Sequence, residues 1–253
     1  MDAEEKNAKV KEEKKDTKGK SENDQGIFLQ NAPIATFGQF QIPVQNIGML
    51  ELPDDKFGCS IILCGSTRSG KTTMLNYLFK KHFMDYISLL MSNSLQSDAY
   101  NLLKKHCAKA DFYHPEILKE LYKINHETNN HYKFFVVIDD IPDKREDQEI
   151  KRMLTIYRNS RISCVICAQG LTMMNKLARS NINYVFLGRM NSTQEIERNV
   201  KEYLTSYFPT NMRMADKIVL YKQLTEDYWW LVIDNINGIL FRTKLRPEQM
   251  VGG

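Results

Sequence analysis

Eight consecutive residues restrict this chain more than any others: Gly65-Ser66-Thr67-Arg68-Ser69-Gly70-Lys71-Thr72. Before them runs Ser60-Ile61-Ile62-Leu63-Cys64, short, apolar and partly β-branched, as a buried strand is. After them Thr73-Met74-Leu75-Asn76-Tyr77-Leu78-Phe79 keeps apolar residues at helical spacing. GxxxxGKT between a strand and a helix is a phosphate-binding loop, in which backbone N–H groups and the positive helix N-terminus surround a triphosphate. The glycines at its two ends let the backbone turn tightly with no Cβ in the way. Lys71 is expected to reach the β- and γ-phosphates, Thr72 to ligate Mg²⁺, and the loop through Thr73 to hold the nucleotide. The plainer alternative, a Gly/Ser-rich turn, explains neither flank.

Such a loop needs a carboxylate for its metal. A long apolar run, Phe134-Phe135-Val136-Val137-Ile138, ends in Asp139-Asp140. A buried parallel strand delivers its last residues to the carboxyl edge of the sheet, where the phosphate loop also opens. Asp139 is therefore expected to meet the Mg²⁺ held by Thr72, and Asp140 to polarise the attacking water. Paired aspartates after a strand also serve as turns or helix caps. The loop upstream favours the metal reading.

Between and beyond these two strands the pattern alternates. Strand-like "YISLLMS" (86–92) is followed by helical "DAYNLLKKHC" (98–107) and "PEILKELYKI" (115–124). After the Phe134 strand come a helix over 146–157, the strand "SCVICAQ" ending at Gln169, the strand "YVFLGR" ending at Arg189, and a helix over 193–207. Further strand-like runs lie near 217–222, 228–234 and 239–243. This predicts an α/β fold, a mainly parallel sheet with helices on both faces. A strand and helix between the phosphate loop and Asp139, then another strand ending in a polar residue, is the order of the additional-strand P-loop NTPases, in which the later strand inserts between the other two. Gln169 would then stand beside the γ-phosphate. "QFQIPVQNI" (39–47) reads as a lead-in or an edge hairpin.

Domain organisation follows from composition. Residues 1–25 are dense in Lys, Glu, Asp and Asn with little to bury, and are read as a disordered tail. Residues 26–247 make one ATPase domain and 248–253 a short C-terminal tail. No signal peptide core or membrane-length apolar run is visible, so the expectation is a soluble intracellular protein. The net charge of +4 permits contact with a polyanion without requiring it. The one CxxC, Cys164–Cys167, lies inside a predicted strand, where residues three apart face opposite ways and cannot share a metal.

"GSTRSGKT", "FFVVIDD", "YRNSRISCVICAQ" and "LARSNINYVFLGR" together resemble the DNA-packaging ATPases of large double-stranded DNA viruses, the poxviral one among them, and of virophages, within the FtsK/HerA superfamily. The resemblance spans roughly Phe57 to Asp234. Its later matches are Arg158 before the sensor strand, Gln169 closing it, and Arg179-Ser180-Asn181 before the next strand. Tyr157-Arg158-Asn159 stands where the poxvirus-like pattern has Gly-Arg-His, and Asp140 where much of the superfamily has Glu. The resemblance implies a homo-oligomeric ring with ATP at each interface that threads double-stranded DNA into a preformed capsid, in a viral factory of the host cell, with the virion as a second location. It also implies capsid or portal partners and an arginine finger, Arg158 first and Arg179 second.

For the DNA grip, Lys144 and Arg145 are candidates, with Arg242, Lys244 and Arg246, whose spacing of two gives one face if extended. Tyr228-Trp229-Trp230 reads as part of a core or edge strand in preference to a base-stacking surface. Two other classes stay open: a small-molecule or nucleotide kinase, and a P-loop protein that binds ATP as a structural or switch ligand without hydrolysis. A GTPase is disfavoured because Asn175-Lys176-Leu177-Ala178 lacks the aspartate that would read guanine.

Overall fold

Five of the eight strands of the main sheet are apolar enough to be buried on both faces, and the chain places them at its centre. The computed structural model describes residues 32–53, 56–139, 147–170 and 180–250. Its main unit, Ile34–Gly253, opens with an antiparallel pair, β1 (Ile34–Phe37) and β2 (Phe40–Pro43). Then follow β3 (Ser60–Cys64), α1 (Lys71–Leu78), β4 (Ile87–Met91), α2 (Asn101–His106), β5 (Ala108–Ala110), α3 (Pro115–Glu127) and β6 (Phe134–Asp139). The second half contains α4 (Gln148–Thr155), β7 (Ile162–Ala168), β8 (Tyr184–Leu187), α5 (Thr193–Asn199), α6 (Met214–Leu224), β9 (Trp230–Asp234), β10 (Ile239–Thr243) and α7 (Pro247–Met250).

The sheet order is β10-β9-β8-β3-β7-β6-β4-β5, parallel from β8 to β5, with β9 and β10 added as an antiparallel edge. Strand β7 lies between the phosphate-loop strand β3 and the carboxylate strand β6. That is the additional-strand arrangement expected from the sequence. Alternating side chains divide the apolar residues into two cores. One gathers Met74, Leu75, Leu78 and Leu103 of α1 and α2; the other gathers Leu118, Ile150, Leu154, Ile196 and Leu220 of α3 to α6. Cys164 belongs to one and Cys167 to the other, so the CxxC straddles the sheet.

The run near 217–222 is helical, not a strand. Its β-branched Ile218 and Val219 suggest β structure locally, but Lys217, Leu220, Tyr221 and Leu224 are buried at i, i+3, i+4 and i+7 while Val219 is exposed. One stripe packed on the sheet outweighs the weak local preference. The "QFQIPVQNI" segment contributes β2, and Val44 adds a single parallel bridge to Arg242 on the sheet edge. The N-terminal tail falls outside the described residues.

Candidate nucleotide and metal site

The loop after β3 is shaped by its glycines. Gly70 adopts φ +91°, closed to ordinary L-residues, and a Cβ at Gly65 would run into the Ser69 hydroxyl. Arg68 also sits at positive φ, 63°. Hydrogen bonds tie the loop to the strands beside it: Gly65 N–H donates to the Ala168 carbonyl at 3.1 Å, and Ser66 N–H to the Arg189 carbonyl at 2.9 Å. Asn191 N–H donates to Ser66 Oγ at 2.8 Å. The Lys71 ammonium lies across the loop, donating to the Gly65 and Ser66 carbonyls at 2.7 and 3.0 Å. These are neutral acceptors, and an anionic phosphate in the loop competes with them strongly. Burial raises the pKa of the Cys64 thiol beneath the loop, so it stays protonated, although the Lys71 charge opposes the shift.

Asp139 ends β6 and is 8% exposed. It is met by a residue that the sequence reading passed over. The Tyr100 phenol, carried in just before α2, donates to Asp139 Oδ2, and Ser92 Oγ donates to the same oxygen at 3.3 Å. The Tyr100 pKa is raised, first by burial and then by the Asp139 charge and hydrogen bond, with a smaller opposing hydrogen bond from Thr72. The phenol thus meets Asp139 of β6 directly, with Thr72 at the start of α1 close enough to act on it. A hydroxyl at the start of α1 and a carboxylate at the end of β6 make a hard-oxygen donor pair of the kind Mg²⁺ takes. The residues present fit that ion.

Gln169 follows β7 at the carboxyl edge, exposed, immediately after the Ala168 carbonyl that accepts from Gly65. It is thus beside the phosphate loop, as the strand order requires. Behind it, the space a Gly170 side chain would need is taken by the Glu195 carboxylate. Arg158 lies elsewhere. It precedes β7 at the amino edge of the sheet, where its carbonyl accepts from Gly58 N–H at 2.6 Å and its Nη1 donates to the Asn181 carbonyl at 3.4 Å. Asp140, Lys144, Arg145 and Arg179 are outside the described residues.

Of the proposed DNA-gripping face, Arg242 is corrected. It is 9% exposed, with Nε donating to the Leu224 carbonyl at 2.8 Å and Nη2 to the Gln223 carbonyl at 3.3 Å, its guanidinium 4.1 Å from the Trp229 ring centre and 4.9 Å from that of Phe37. It caps the C-terminus of α6, where a cation meets carbonyls without helical partners. Strand β10 ends at Thr243, so the alternation that would align Arg242 with Lys244 and Arg246 is not continued. Arg246 is exposed and reaches Glu248 only at 3.9 Å. Among the described residues no helix is long and apolar enough to cross a membrane, and no cluster of three His, Cys, Asp or Glu could hold a metal.

Comparison with known proteins agrees with this architecture. The crystal structure of B204, the DNA-packaging ATPase of Sulfolobus turreted icosahedral virus, superposes with a TM-score of 0.56 at 14% identity, over 74% of this chain and 97% of that one. The genome-packaging NTPase B204 of the second such virus, in complex with ATP-γ-S, gives 0.51 at 14% identity, over 74% and 97%. The pCW3 conjugation coupling protein TcpA, in a monomer form with the same analogue, gives 0.50 at 14% identity, over 78% of this chain and 63% of that one. At such identities the likeness establishes the P-loop NTPase fold. Among curated proteins no sequence matches. The family described as Poxvirus A32 protein matches residues 50–236, from the approach to the phosphate loop to just past β9. On that match, over most of its length, the chain belongs to the poxvirus A32 protein family.

Proposed function

We infer that this chain is the DNA-packaging ATPase motor of a virus, hydrolysing ATP to drive double-stranded DNA into a capsid. The observation that carries the chemistry is the placement of Thr72 at the start of α1 and Asp139 at the end of β6, both at the carboxyl edge with the phosphate loop and Gln169. Family membership supplies the setting, and B204, also described as a packaging ATPase, has the same fold.

In this reading the loop from Gly65 to Thr73 holds the triphosphate, through N–H groups beyond Ser66, since those of Gly65 and Ser66 are engaged with the neighbouring strands, and Lys71 leaves its two carbonyls for the β- and γ-phosphates. Thr72 and Asp139 would hold Mg²⁺, which when bound would neutralise charge developing on the phosphate oxygens. Asp140 takes the role of orienting the attacking water, with Gln169 at the γ-phosphate. An arginine of a neighbouring subunit completes each site in a homo-oligomeric ring. Non-sequence-specific DNA contact, a capsid or portal partner and a viral assembly site in the host cell complete the proposal. Within the DNA grip, Arg242 has no part.

The test is ATP hydrolysis by the purified chain with and without long double-stranded DNA, alongside Lys71→Ala. The expected result is turnover stimulated by DNA and lowered by a hundredfold or more in the variant, as the loss of a principal charge on the transferring phosphate implies. Hydrolysis unaffected by Lys71→Ala would overturn the assignment. Turnover indifferent to DNA, both alone and with capsid protein, would overturn the motor reading while leaving an ATPase.

A further inference from the structure

The three aromatic residues Tyr228-Trp229-Trp230 have separate fates. Trp230 is buried at the start of β9, its ring filling the space a Gly188 side chain would need. Trp229 lies against the Arg242 guanidinium. Tyr228 is 59% exposed, and its side chain has no hydrogen-bond, ion-pair or ring partner among the described residues. Its backbone is costly to hold. Asp227 and Tyr228 adopt φ 51° and 62°, two successive left-handed residues without a glycine, and for a bulky aromatic this is a rare conformation.

The conformation has a definite result. Strand β9 runs antiparallel to β8, with Leu231 opposite Leu187, so the turn ahead of β9 emerges at the carboxyl edge of the sheet. There the Tyr228 ring comes over the phosphate loop: a Cβ at Gly70 would lie 3.4 Å from its Cδ1. Gly70 is the residue before Lys71 and the start of α1. A nucleotide whose phosphates occupied the loop would lie beside this ring. The exposed aromatic face is there to receive its base.

We propose that Tyr228 is the platform on which the base of the bound nucleotide stacks, a base-binding contact built from a strained turn outside every motif of the phosphate site. It rests on the ATP-binding reading of the loop and adds the part of the ligand that the loop does not touch. Stacking uses the π-face common to all bases, so the contact favours a nucleotide over bare phosphate without requiring one particular base.

The experiment is calorimetric binding, with Mg²⁺, of ATP and of inorganic tripolyphosphate to the full chain and its Tyr228→Ala, Tyr228→Phe and Lys71→Ala variants. Loss of the ring is expected to weaken ATP binding about tenfold and leave tripolyphosphate unchanged, while Tyr228→Phe stays within about twofold of the parent for both. Because the side chain is exposed, none of these changes removes core packing. If Tyr228→Ala binds ATP as the parent does while Lys71→Ala loses both ligands, the platform is wrong and the loop assignment stands. Equal loss of both ligands in Tyr228→Ala would make the tyrosine a support for the loop and overturn the stacking role. If Lys71→Ala changes neither ligand, the loop reading fails and the platform with it.

Discussion

At the scale of single residues, the site depends on a tyrosine that belongs to no motif. Tyr100 donates to Asp139, one of the pair proposed to hold Mg²⁺. To hold Mg²⁺, Asp139 would exchange the phenol's hydrogen bond for the ion. Tyr100→Phe removes that competitor and takes one donor from a buried carboxylate, which destabilises the metal-free protein by about 1–3 kcal/mol. The expected outcome is a lower thermal midpoint without metal and a Mg²⁺ requirement for nucleotide binding that is several-fold lower, read by calorimetry across a Mg²⁺ titration. A higher requirement would show that the phenol supports the metal-bound state. Lys71, Thr72 and Asp139 are legible in the sequence because their chemistry is contained in one loop and one strand end. Tyr100 is not, since its meeting with Asp139 depends on β4 pairing with β6 and bringing the following turn back over the strand ends.

At the scale of elements, what the sequence hides is mostly what the antiparallel edge does. The α6 segment has a β-branched local signal, and only its packed face reveals a helix. Arg242 looks like a surface cation because charged residues are seldom buried, yet here a helix end and two aromatic rings receive it. This makes it a joint: through it β10 holds the C-terminus of α6, and Val44 and Gln45 pair with its backbone, the latter donating to its carbonyl at 2.9 Å. Arg242→Ala should lose about 2–4 kcal/mol of stability, less than the sum of two hydrogen bonds from a charged donor and a desolvated cation–π contact because burying the guanidinium offsets part of it. Urea unfolding measures it. DNA binding by the folded variant should be unchanged, with the same dependence on salt; a reduced salt slope would return Arg242 to the DNA-contacting set. The parallel part of the sheet, in contrast, is legible almost strand for strand, because strands buried on both faces must be written as continuous apolar runs.

At the scale of the whole molecule, the two ends of the sheet have different chemistry. The phosphate loop, Asp139 and Gln169 occupy the carboxyl edge, whereas Arg158 precedes β7 at the amino edge, near Gly58 and Asn181. Crossing β3 alone spans five residues, about 16 Å, further than an arginine side chain extends. Arg158 therefore cannot complete the site of its own subunit, and a catalytic role for it requires a neighbour whose amino edge faces this carboxyl edge. Such a head-to-tail contact closes into a ring when its rotation allows. Arg158→Ala should then lower DNA-stimulated turnover about a thousandfold while leaving ATP affinity within a few-fold, the pattern of an arginine finger supplied in trans. Lys71→Ala subunits lack a working loop but retain Arg158, and Arg158→Ala subunits are the reverse. Mixing the two inactive proteins at equal amounts creates intact interfaces at about one in four contacts by chance, so activity should return to a measurable fraction of the parent. Should the mixture stay as inactive as its components, with assembly confirmed by light scattering, Arg158 would serve only its own fold through the Asn181 carbonyl, and the trans-acting cation would have to come from another residue.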